Sequence, residues 1–135
     1  MSDEKTIKPE RPWVTPEEVK AYSELKTVQQ RADNKLAIDI SRAEQYVISY
    51  THNTFEGLKT IPEPVKTAVL ILSEAYGNNA VEASKDQFKS ETFDDYSYTR
   101  ESGLIDISLL DLGYLLDEWV VAQPTGKVTM RMRKL

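Results

Sequence analysis

Cysteine is absent from the 135 residues, and histidine occurs once, as His52. The first absence removes disulfide frameworks, thiolate nucleophiles and the common structural zinc sites, and it leaves the redox compartment open. Only five glycines are present, widely scattered, so no phosphate-cradling glycine loop can be assembled and nucleotide binding is disfavoured. Long apolar runs are also missing. The strongest, Ala68-Val69-Leu70-Ile71-Leu72, is far short of the roughly 20 residues that span a bilayer. The opening residues Met-Ser-Asp-Glu-Lys are charged, and neither a secretory signal nor a membrane partner is expected.

What is present is a soluble, globular composition, 40% hydrophobic and 29% charged, at the length of one ordinary domain. The net charge of -5 is unevenly spread. Residues 1–73 carry ten basic and eleven acidic side chains, residues 74–126 three against eleven, and residues 127–135 four against none. An acidic body disfavours general binding to nucleic-acid phosphates. The basic end points instead to a tail that meets an acidic partner or forms a strand.

Proline divides the chain. Pro9, Pro12 and Pro16 stand at the start, Pro62 and Pro64 in the middle and Pro124 near the end, which leaves two long proline-free stretches for helices. Residues 1–12 are polar and read as a mobile leader, followed by a helical domain over 13–123 and a docking tail over 124–135. Thr15-Pro16-Glu17-Glu18 is a capping-box start for a short helix reaching about Leu25. Asp33 offers the next cap. Leu36, Ile40, Ala43, Val47 and Tyr50 then define one face of an amphipathic helix from about Asn34 to Thr51.

After Ile61-Pro62-Glu63-Pro64, a third helix carries Val65, Ala68, Val69, Leu72, Ala75 and Tyr76 as its core stripe, widened by Leu70 and Ile71. It is expected to be central and to end near Ser84, since Asn78-Asn79 is a weak stop. A long loop over about 85–103 follows. A last helix capped by Asp106 or Ser108 is expected to align Leu109, Leu112, Leu116 and Val120, with Ile107, Leu110 and Tyr114 beside them and Gly113 inside. Beyond Pro124, Val128, Met130 and Met132 alternate with Thr129, Arg131 and Arg133, the period of a strand. The expected fold is therefore mainly α: a small bundle of about four helices with a long loop and a strand-like C-terminal tail. That strand has two possible partners, Tyr96–Thr99 within the chain or another protein.

Catalytic constellations are sparse. His52 has neither a Gly-x-Ser-x-Gly elbow nor a glycine-rich oxyanion loop, and it reads as a helix-end residue near the negative dipole end. Asp94 and Asp95, with Glu91, Glu101 and Asp106, match no calcium-loop spacing and read as solvated surface, so no metal or cofactor is expected. Tyr96 and Tyr98 are able to stack on bases, yet their acidic neighbours repel phosphates, and packing against protein fits them better.

Four segments taken together resemble the small helical head-tail connectors of tailed bacteriophages, also called adaptor or head-completion proteins, including the form from defective prophages of Bacillus. They are Thr15-Pro16-Glu17-Glu18-Val19-Lys20-Ala21-Tyr22-Ser23, Ile61-Pro62-Glu63-Pro64-Val65-Lys66, Asp95-Tyr96-Ser97-Tyr98-Thr99 and Lys127-Val128 through Arg131-Met132-Arg133. Their order, across about residues 14–135, carries the likeness more than any one of them.

The resemblance implies a non-enzymatic subunit of the virion, made in the host cytoplasm. Neighbouring copies would form a ring, commonly twelve-membered, under the portal protein. The ring would extend the channel through which DNA passes without specific binding, and would offer a docking surface for the next connector (stopper) or tail protein. Lys127, Val128, Met130, Arg131, Met132 and Arg133 would then dock on the portal. Asp94, Asp95, Tyr96, Ser97, Tyr98 and Thr99 would lie at the ring interface or channel. Asp94 stands where related loops often have glycine, and a leader precedes Thr15. A small helical DNA-binding regulator using the basic tail is the alternative from another class, and a hydrolase built on His52 a third.

Overall fold

The computed structural model describes residues 7–92 and 103–122, with side chains over 86–92 left aside. It is a small, mainly helical bundle in which a long central helix touches nearly every other element. The elements are α1 (Pro16–Tyr22), α2 (Lys26–Gln29), α3 (Asp33–Thr51), α4 (Glu63–Thr92) and α5 (Gly113–Leu116). Single 3-10 turns at Ile107–Leu109 and Asp117–Trp119 flank α5.

The start of α1 is built as its sequence specifies. Thr15 Oγ1 accepts from the Glu18 amide at 3.1 Å, and Glu18 Oε1 accepts from the Thr15 amide at 2.9 Å. Each side chain satisfies an amide that the first helical turn leaves free. The helix stops at Tyr22, three residues before the expected end. There the Ser23 hydroxyl donates to Glu74 at 2.7 Å and accepts from the Leu25 amide at 3.0 Å, which turns the chain into α2, a one-turn helix absent from the sequence reading.

The α3 helix agrees with its pattern over nearly its whole length. Leu36, Ile40, Ala43 and Val47 are fully buried. Asp33 lies inside the first turn and does not cap it; the cap position is Ala32, which has no side-chain acceptor. Tyr50, grouped with the core face by spacing, sits at its margin and is 38% exposed. His52 ends the helix in the left-handed conformation, φ 54°, its amide donating to Ile48 O at 2.7 Å.

On α4, Val65, Ala68, Val69, Leu72 and Ala75 are buried as expected, and the helix contacts α1, α2, α3 and α5. It does not stop at Ser84 but continues to Thr92, so the loop expected from residue 85 begins at least eight residues later. Val81 to Thr92 contains no proline or glycine, so nothing in the sequence interrupts the helix there.

Residues 103–122 form a strap and not the expected fourth long helix. Leu112 and Leu116 reach the core, Ile107, Leu110, Leu115 and Trp119 lie partly buried against it, and Leu109, Tyr114 and Val120 face outward. Local chemistry explains the interruption. The Asp106 carboxylate accepts from both the amide and the hydroxyl of Ser108, at 3.0 and 2.7 Å, fixing a tight 3-10 turn, and Gly113 weakens helix propagation.

Residues 7–12, read as part of the leader, are tied to the bundle. Ile7 O accepts from the Gly57 amide at 2.6 Å, and Arg11 Nε donates to buried Glu44 at 2.7 Å. The other Glu44 oxygen accepts from the Trp13 amide at 2.6 Å. Trp13 then meets Phe55 edge to face, with ring centroids 5.5 Å apart.

Candidate functional site

The loop residues Asp94, Asp95, Tyr96, Ser97, Tyr98 and Thr99 lie outside the described residues, as do the tail residues Lys127, Val128, Met130, Arg131, Met132 and Arg133 and the expected strand. Their anchors are within it. The loop joins the end of α4 at Thr92 to Gly103, and the tail follows Ala122. The strap between these points is fastened at both ends by asparagine side chains.

At its beginning, Asn79 Nδ2 donates to Ile105 O at 2.8 Å and its Oδ1 accepts from Ile105 N at 2.7 Å, pairing with the backbone as a second strand would. Asn78 Nδ2 donates to Gly103 O at 2.8 Å, while its Oδ1 accepts from Thr27 Oγ1 at 2.8 Å. Gly103 suits this close approach, because a Cβ there would stand 2.7 Å from the Glu82 carboxylate. At the far end, Asn53 Nδ2 donates to Trp119 O and the Val121 amide to Thr51 O, each at 2.8 Å. The strap therefore runs from the middle of α4 to the C-terminal end of α3. Since α3 and α4 are antiparallel, the loop base and the tail base stand at opposite ends of this pair. Asn79 to Thr92 carries the loop base about 20 Å further from the tail base.

Between them α3 and α4 frame a groove of about 500 Å3 lined by Arg42, Gln45, Tyr46, Ser49, Tyr50 and Tyr76. Tyr46 and Tyr50 stack with centroids 6.4 Å apart, and the Arg42 guanidinium lies 4.2 Å above the Tyr76 ring. The Tyr50 hydroxyl donates to Asp117 on the strap at 2.7 Å, and this bond, more than burial, holds its pKa above the ordinary tyrosine value. Burial raises Tyr76 in the same direction, with Arg42 opposing. Tyrosine and arginine on a concave, half-exposed face make a surface suited to protein contact. Arg42, Tyr46 and Tyr50 recur every four residues and are legible as one stripe, whereas Tyr76 joins them only through the packing of α4.

Nearer the start of α3, the Arg31 guanidinium holds Asp39, which is 2% exposed, with Nε 2.7 Å from Oδ2. Gly77 of α4 makes room for the pair, since a Cβ would meet Asp39 Oδ2 at 3.0 Å. His52 serves as a helix cap, and among the described residues no group of three histidine, aspartate or glutamate side chains is arranged to hold a metal. No helix among them is long and apolar enough to cross a membrane.

The arrangement defines a helical protein with a strapped central helix pair. The chain belongs to a family described as a protein of unknown function (DUF3199), whose model matches residues 13–133 and so spans both the loop and most of the tail. No curated protein and no solved structure matches it.

Proposed function

We propose that the chain is a structural subunit of a phage head-tail connector, acting without catalysis at the head-tail interface of the virion after synthesis in the host cytoplasm. The observation that supports this reading is the separation of the described residues from which the loop and the tail leave the bundle. The tail base lies beside Thr51, and the loop base lies beyond Asn79 at the other end of the helix pair. A connector joins one partner above and another below, and a docking tail that leaves one end of the helix pair keeps the opposite end free for the second partner.

On this reading Val128 to Arg133 dock on the portal protein, adding backbone hydrogen bonds and pairing Arg131 and Arg133 with acidic side chains. Residues 94–99 lie at the ring interface or channel. The acidic body suits a wall past which DNA slides without sticking. Electron microscopy of lysates from the parent phage or prophage with this gene deleted tests the role. Tails separate from unjoined or leaking heads are expected; normally joined particles would overturn it, and duplex-DNA binding would then be measured.

A further inference from the structure

Two surfaces of opposite charge are built into the described part. The strap, residues 103–122, contains four carboxylates and no lysine, arginine or histidine. Asp106 is engaged by Ser108 and Asp117 by Tyr50, whereas Asp111 and Glu118 are exposed and have no cationic partner among the described residues. They alternate along the strap with its two most exposed large hydrophobic side chains among the described residues, Leu109 at 78% and Tyr114 at 74%.

The second surface is a cleft of about 520 Å3 where α2, the start of α3 and α4 meet, lined by Lys26, Arg31, Lys35, Lys85, Ala32 and Val81 among others. None of its described lining residues is acidic. Arg31 is taken by Asp39 and Lys85 by Glu82, whereas the Lys26 and Lys35 ammonium groups have no carboxylate among the described residues. The missing side-chain cap at Ala32 leaves the positive end of α3 facing the same place. The lysine stems, with Ala32 and Val81, give the cleft apolar walls under a cationic rim.

We propose that this cleft receives the strap of a second copy of the chain. Asp111 and Glu118 pair with Lys26 and Lys35 while Leu109 and Tyr114 cover the lysine stems. The two surfaces are different patches of one molecule, so the contact is head to tail and either closes a ring or propagates. The inference rests on the ring element of the connector reading and supplies it with an interface. Nucleic-acid phosphate is the competing occupant of the cleft, but it leaves the carboxylates and exposed apolar side chains of the strap unexplained.

The absence of cysteine makes the test clean. Full-length chain carrying both Lys35→Cys and Leu109→Cys is oxidised at high concentration and resolved without reductant, with circular dichroism confirming the fold. A ladder of trimers and longer species is expected, whereas either single variant stops at dimers. Adding Lys26→Glu lowers the yield beyond dimer about tenfold, as expected for like charges brought together. A double variant that gives no more ladder than an Ile38→Cys/Leu109→Cys control overturns the interface. So does retention of duplex DNA that is lost on Lys26→Glu without any ladder. Failure here beside unjoined heads in the gene deletion removes only this interface; joined heads in that deletion remove the connector role whatever the ladder shows.

Discussion

Residues 33–51 and residues 103–122 are of similar length and each carries a row of aliphatic side chains, yet the first is a continuous helix and the second a strap of single turns. The difference lies in what satisfies the backbone. In α3 the helix supplies its own hydrogen bonds and packing only has to cover one stripe. In the strap, Asn79, Asn78 and Asn53 supply partners from other elements, and the leucines divide between the core and solvent. A hydrophobic row thus specifies a helix only where polar side chains do not offer its backbone other partners.

The largest expected effect falls on the helix pair. Asp39→Ala leaves the partly buried Arg31 guanidinium without its carboxylate and is expected to lower stability by about 3 kcal/mol in denaturant unfolding. A loss below about 1 kcal/mol would show that the pair is dispensable and that α3 and α4 are held by apolar packing alone. Next comes the strap. Asn79→Ala strips both partners from the Ile105 backbone and should cost about 1–3 kcal/mol. Hydrogen exchange should rise sharply over residues 104–110 while α3 and α4 amides stay protected; uniform loss of protection would mean that the strap and helix pair unfold as one unit.

The smallest effect is pH-dependent. The bond to Asp117 raises the Tyr50 pKa in the folded state, so its contribution is complete below the ordinary value of 10.0 and is lost as pH climbs through the raised one. Tyr50→Phe should therefore flatten part of the alkaline fall in stability and change nothing at neutral pH beyond the lost bond. An unchanged alkaline limb would place that fall on Tyr22 and Tyr76, both also raised mainly by burial.

Legibility follows the same division. The Thr15 capping box, the face of α3 and the buried stripe of α4 are local and periodic, and all three are present in the sequence as in the fold. The Arg31–Asp39 pair is not legible, because eight residues and a helix boundary separate its members. Asn78-Asn79 reads as a weak helix stop, but its side chains are the clasp for a segment 25 and 26 residues away. The Arg42–Tyr46–Tyr50 row stands at helical spacing, but the spacing assigns Tyr50 to the core face, and the groove forms only with Tyr76 arriving from α4.

The proposal turns on polarity: the tail leaves the bundle at Ala122 beside Thr51, at the end of the helix pair opposite Thr92, where α4 ends. The direct measurement is complementation of the gene deletion by a chain ending at Gly126, scored by electron microscopy and by protein content of purified heads. A folded chain absent from the heads, with tails unjoined, is the predicted result. Incorporation and joining at the level of the full chain would contradict tail docking and with it the proposed polarity.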